Sequence, residues 1–94
     1  MTPNNLKFIN AGFGNYIAAQ RIISAASPDA APIKRMVQDG KESGRVIDIS
    51  CGRKTKSVLF TDSDHIILSA LTPDKIYALI SGEQIDDTVL EENQ

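Results

Sequence analysis

Arg45-Val46-Ile47-Asp48-Ile49-Ser50, Cys51-Gly52-Arg53-Lys54-Thr55-Lys56, Ser57-Val58-Leu59-Phe60-Thr61, Asp62-Ser63-Asp64 and His65-Ile66-Ile67-Leu68-Ser69-Ala70 form one continuous stretch that decides the fold. Residues 45–50, 56–61 and 65–70 are rich in β-branched and aromatic residues, and two polar turns separate them. Gly52 accepts positive φ at no steric cost, so the first turn reads as a hairpin tip that holds Arg53 and Lys54 in solvent. Asp62-Ser63-Asp64 is the second turn, because short polar side chains bond the local backbone. Short loops between three strands predict an antiparallel meander. Val58-Leu59-Phe60 and Ile66-Ile67-Leu68 carry apolar side chains to both faces, the pattern of strands covered on two sides.

Working outward, Thr72-Pro73-Asp74 predicts a helix that turns Ile76, Tyr77, Leu79 and Ile80 inward and stops at Gly82. Ser27-Pro28-Asp29 repeats that signature and predicts a helix capped by Ser27, with Ala30, Ile33, Met36 and Val37 as its inner stripe, Arg35 able to pair with Asp39, and Gly44 as its stop. Lys34, Gln38 and Lys41 fall on a solvated face. Leu6-Lys7-Phe8-Ile9 reads as a first strand. Asn10-Ala11-Gly12-Phe13-Gly14-Asn15 is a turn that tucks Phe13 into or across the core. Tyr16–Ala19 and Arg21–Ala25 resume extended structure. The resulting expectation is a small α+β domain with a mainly antiparallel twisted sheet and two helices. Two helices cover one face well; part of the other calls for a second subunit.

The 94 residues allow one core of modest size, at an ordinary globular composition of 41% hydrophobic and 23% charged residues. No apolar run is long enough to span a bilayer, and Met1-Thr2-Pro3-Asn4-Asn5 lacks the pattern of a signal peptide, so a cytoplasmic location is expected. The net charge of −2 conceals an asymmetry. Residues 82–94 carry Glu83, Asp86, Asp87, Glu91 and Glu92 with no cation, and are read as an acidic, disordered tail beside a domain at 1–81. The domain itself is therefore net positive.

Three features invite a chemical reading. Asp62, Asp64 and His65 include donors that bind metals, although a tight turn selects the same residues. Cys51, the lone cysteine, lies near two cations but has no identifiable base in the sequence. Gly12-Phe13-Gly14 lacks the third glycine and following helix of a dinucleotide fingerprint. No catalytic constellation, cofactor or small-molecule substrate is expected. The cationic turn fares better, since Arg53, Lys54 and Lys56 contact phosphates without any catalytic partner. Arg21, set among apolar residues, must reach the surface or pair with an anion.

Phe8-Ile9-Asn10, Gly12-Phe13-Gly14-Asn15, Arg21-Ile22-Ile23, Ser27-Pro28, Ala31-Pro32-Ile33-Lys34-Arg35-Met36, Gly52-Arg53-Lys54-Thr55 and Thr61–Ala70 together resemble the RemA family of bacterial extracellular-matrix regulatory proteins. The resemblance runs through roughly residues 6–80 in order. It implies a DNA-binding transcriptional activator of biofilm-matrix genes, nucleoid-associated, that assembles into a homo-oligomeric ring and engages double-stranded DNA along its rim. The family's DNA contacts carry over to Arg21, Arg53 and Lys54, with Lys56 added from the basic turn. Lys54 stands where the family form has arginine, so it keeps the charge but loses the bidentate fork. A ring meeting an acidic protein or RNA, without specific DNA regulation, is the alternative.

Overall fold

A computed structural model describes residues 7–82. The expected acidic tail at 82–94 lies almost wholly outside those residues, as does Leu6. Two strands, β1 (Phe8–Asn10) and β2 (Tyr16–Ala18), pair as an antiparallel hairpin. A 3₁₀ turn at Ala19–Arg21 leads into β3 (Ile22–Ala26), followed by α1 (Ala31–Glu42), β4 (Val46–Asp48), β5 (Ser57–Thr61), β6 (Ile66–Ser69) and α2 (Pro73–Ser81). The architecture is α+β, as expected.

The sheet corrects the meander. Its order is β3-β5-β6-β4, with β5 antiparallel to β3 and β6 but β4 parallel to β6. Strand β6 therefore lies between β4 and β5, and residues 49–56 cross over it instead of closing a hairpin. β-branched and aromatic content marks which residues are strand, but nothing in that content names the partner.

The two helices also divide differently from expectation. Val58, Ile66 and Leu68 pack against Ile33 and Val37 of α1. Leu59 and Ile67, one residue out of phase, face Ile76 of α2 together with Ile9 of the hairpin. Each face thus has its own cover, and the apolar strands need no second subunit to hide them. Among the described residues, the outer edges of β3 and β4 have no strand partner. Ile23, looped out by a bulge between Ile22 and Ser24, is 69% exposed on β3, and Ile47 is 45% exposed on β4.

Both proline-led boxes were expected to cap helices, and only one does. The Thr72 hydroxyl accepts from the Lys75 amide, and Gly82 closes α2 at φ +78. In the other box the Ser27 hydroxyl accepts from the Asp29 amide within a turn, and α1 starts later, at Ala31 behind Ala30. Pro32 explains the shift. With Ser27 as cap, Pro32 would sit past the first turn, where the helix needs its missing N–H and its ring strikes the preceding carbonyl. Gly44 follows α1 at φ +74, as a stop should. The inner stripe then runs Ile33, Val37, Gly40, with Met36 turned outward; on α2 Tyr77 is likewise exposed. A Cβ on Gly40 would stand 2.7 Å from Ile66 Cδ1 and 3.0 Å from Val46 Cγ2, so this glycine sets how closely α1 approaches the sheet.

Candidate nucleic-acid interface

The loop after β4 is built from inside. The Ser50 amide and hydroxyl both donate to Asp48 Oδ1, at 2.9 and 2.7 Å, and these bonds hold the Asp48 carboxyl below its ordinary pKa. The Arg53 amide donates to the Ser50 carbonyl across Cys51 (φ +56) and Gly52 (φ +78), the signs of a type I′ turn. Gly52 was expected to take positive φ; Cys51 does so at a steric cost. The turn sends Arg53 onto Phe13, with the guanidinium carbon 4.5 Å from the ring centroid.

Phe13 is accordingly half exposed and not a core residue, which corrects its expected role. It too has a positive φ of 56. Strained non-glycine residues cost on the order of 1–3 kcal/mol each and gather where a site over-determines the backbone. Here the restraint is visible. Asn15 Nδ2 donates to the Gly12 carbonyl and reaches Cys51 Sγ at 3.8 Å, tying the two strained loops together. Buried Ser69 anchors both from below: its hydroxyl donates to the Ala11 carbonyl at 2.9 Å, and its own carbonyl accepts from the Lys56 amide at 2.8 Å.

Between these loops and α2 lies a cleft of about 460 Å³. Arg53, Lys54, Lys56 and Lys75 line it, with Phe13 and Leu71, and among the described residues no carboxylate lines it. Lys75 has its pKa lowered by burial first and by the neighbouring Lys56 charge second. Sequence reasoning missed Lys75, since only tertiary packing brings the first turn of α2 beside the loop.

Arg21 stands elsewhere. It ends the 3₁₀ turn instead of sitting on a strand, and its Nε donates to Asp62 Oδ1 at 2.8 Å in a pair 59% and 48% exposed. It borders a second groove, of about 390 Å³, alongside Tyr16, Ile47, Ile49 and Ile67. The structure thus groups Arg53, Lys54 and Lys56 and leaves Arg21 apart.

The turn at 62–65 spends its polar groups on separate partners. Asp62 takes Arg21, Asp64 Oδ1 accepts from Arg45 Nη1 at 3.3 Å, and His65 Nδ1 lies 2.8 Å from the Ser63 hydroxyl. Among the described residues no group of three His, Cys, Asp or Glu is arranged to hold a metal. No described helix is long and apolar enough to cross a membrane.

Residues 8–79 match the model of the RemA-like family, described as extracellular matrix regulatory protein A-like. The chain belongs to the RemA-like family. Its relatives include proteins that bear the name "Putative regulatory protein". One from Synechococcus elongatus is 51% identical over 83% of this chain and 90% of its own. One from Geobacillus thermodenitrificans is 52% identical over 82% and 88%, and one from a Thermoanaerobacter species 47% identical over 96% and 95%. The RemA-like match spans both walls of the basic cleft and the Arg21–Asp62 corner.

Proposed function

We propose that this protein is a DNA-binding transcription regulator whose subunits assemble into a ring and hold duplex backbone through Arg53, Lys54 and Lys56, with Arg21 as a second contact. The observation that carries the reading is the cleft in which Arg53, Lys54 and Lys56 stand side by side, with no carboxylate among the described residues that line it. Lysine and arginine without neutralising carboxylates attract phosphate and release its counterions. A single subunit offers too few charges for tight binding; repetition around an oligomer multiplies them at high effective concentration.

Self-association draws support from the two open sheet edges, β3 and β4, which are different surfaces. A contact between unlike surfaces repeats head to tail and closes into a ring when the rotation allows. The apolar groove beside Ile47 adds area to such a contact. The regulatory naming of the relatives favours a regulator over an enzyme. The family description favours extracellular-matrix genes as its targets, with activation of biofilm genes the specific proposal.

Genome-wide crosslinking of the protein to DNA tests this function. Enrichment at promoters, with reduced transcripts on deletion, is the expected result; no enrichment above background contradicts it. Light scattering tests the ring: a mass near the 10.2 kDa monomer at micromolar concentration rejects it.

A further inference from the structure

Three parts of the cleft are more than a duplex phosphate requires: Lys75, the Gly12-Phe13 loop and the apolar wall at Ala70 and Leu71. Consider the charge first. A DNA strand presents one negative charge per roughly 3.4 Å of helix axis, spread along a convex rod. The cleft instead turns four cations into one concavity with no carboxylate among the described residues that line it. The Lys75 pKa is lowered by burial first and by the Lys56 charge second, so the two ammonium groups repel across the cleft. A compact anion of three or four charges relieves that repulsion, and a single phosphate of a duplex does so only in part.

Shape agrees with charge. At about 460 Å³ the cleft lies within the range of small-molecule sites, roughly 300–1,000 Å³. Its walls are held independently of any partner, by Ser69 beneath, the Asn15 bridge between loops and Arg53 on Phe13. Such a site is preorganised.

We propose that the cleft binds a small anion carrying two or three linked phosphates, with Arg53, Lys54, Lys56 and Lys75 as ligands and Phe13 and Leu71 as apolar walls. The anion is either inorganic or the phosphate chain of a nucleotide. Because Arg53 and Lys54 are shared, the anion and DNA exclude one another; that consequence rests on the DNA reading, whereas the binding itself does not.

Calorimetric titration of the full chain at low ionic strength, without DNA, tests it using inorganic triphosphate, adenosine triphosphate and inorganic monophosphate. Both triphosphates bind about tenfold or more tighter than monophosphate, the value of roughly one added charge-assisted contact. Lys75→Gln weakens binding by about that factor and Lys75→Arg retains it, which separates a missing ligand from a failure to fold. Lys34→Gln, the same charge change on the α1 side of the sheet, stays within about twofold. Tighter binding of the nucleotide than of inorganic triphosphate assigns the nucleotide as ligand, and equal binding assigns the inorganic anion. No preference for triphosphate over monophosphate, or an equal weakening in Lys34→Gln and Lys75→Gln, overturns the proposal. With no DNA in the cell, such a failure leaves the DNA reading standing, and a failed DNA experiment leaves this one standing.

Discussion

Arg53 and Arg21 are the same residue type in opposite circumstances. Arg53 rests on an aromatic ring in a cleft lined by three further cations, so its charge is oriented and, among the described residues, not neutralised by an acid. Arg21 gives its Nε to Asp62, whose backbone amide also donates to the Arg21 carbonyl at 2.9 Å, so its charge is held in place and partly neutralised. Orientation without neutralisation makes an anion contact ready in advance; an exposed ion pair makes one that must first be opened or shared. Under the proposed DNA-binding function, the cleft would supply most of the attraction and Arg21 would tune it.

The largest effect follows from removing the cleft's charge. Arg53→Ala with Lys54→Ala lowers duplex affinity about a hundredfold or more at low salt, because two phosphate-binding cations disappear from every engaged subunit. Next comes the anchor. Ser69→Ala leaves the buried Ala11 carbonyl without its donor and costs about 1–3 kcal/mol by chemical denaturation. Ser57, its cross-strand partner, is as buried, but its hydroxyl has no partner among the described residues. Ser57→Ala is therefore neutral or stabilising, and equal destabilisation from the two serines would show that the loops are not hung from Ser69.

The Arg21 side of the comparison breaks on its acid. Asp62→Asn frees the guanidinium and strengthens DNA binding about threefold to tenfold, within the range of an exposed pair plus one added contact. Arg21→Ala weakens binding less than Arg53→Ala does. If Asp62→Asn weakens binding instead, the pair serves to aim Arg21 and the two arginines work alike. Phe13→Leu, which removes the ring and keeps the bulk, costs about twofold to fivefold in affinity, the worth of an exposed cation–π contact.

The smallest effect is one of pH. The folded pKa of Asp48 lies below its unfolded value because Ser50 donates two hydrogen bonds to the carboxylate. Its contribution is present in full above the unfolded pKa and is lost as pH falls through the folded one. Asp48→Asn removes that acid-side slope from the stability profile, and an unchanged profile would show that the bonds do not hold the loop.

How far these features could be read in the sequence depended on whether their cause is local. Thr72, Pro73 and Gly82 delimit α2 through hydroxyl, ring and φ, each acting within a few residues, and the helix stands where they put it. The Ser27 box obeys the same local chemistry until Pro32, four residues beyond its proline, shifts the start of α1. Strand identity was legible for β5 and β6, but the parallel pairing of β4 with β6 arises from a crossover whose length no hydrophobic period encodes. Of the candidate contacts, Arg53, Lys54 and Lys56 could be read because they share a loop. Lys75 could not, being brought beside them from a separate helix, and Phe13 looked like a core residue because its exposure is maintained by an arginine forty positions away.

The central claim is that the cleft is the principal grip on DNA. It is tested most directly by the salt dependence of duplex affinity for the wild type and for Arg53→Ala with Lys54→Ala, with oligomer mass followed in parallel. The account predicts a steep fall of affinity with salt in the wild type and a weaker, shallower dependence in the variant, whose slope drops by about 0.9 for each phosphate that is no longer neutralised, at unchanged mass. An identical affinity and slope in the two proteins would contradict it.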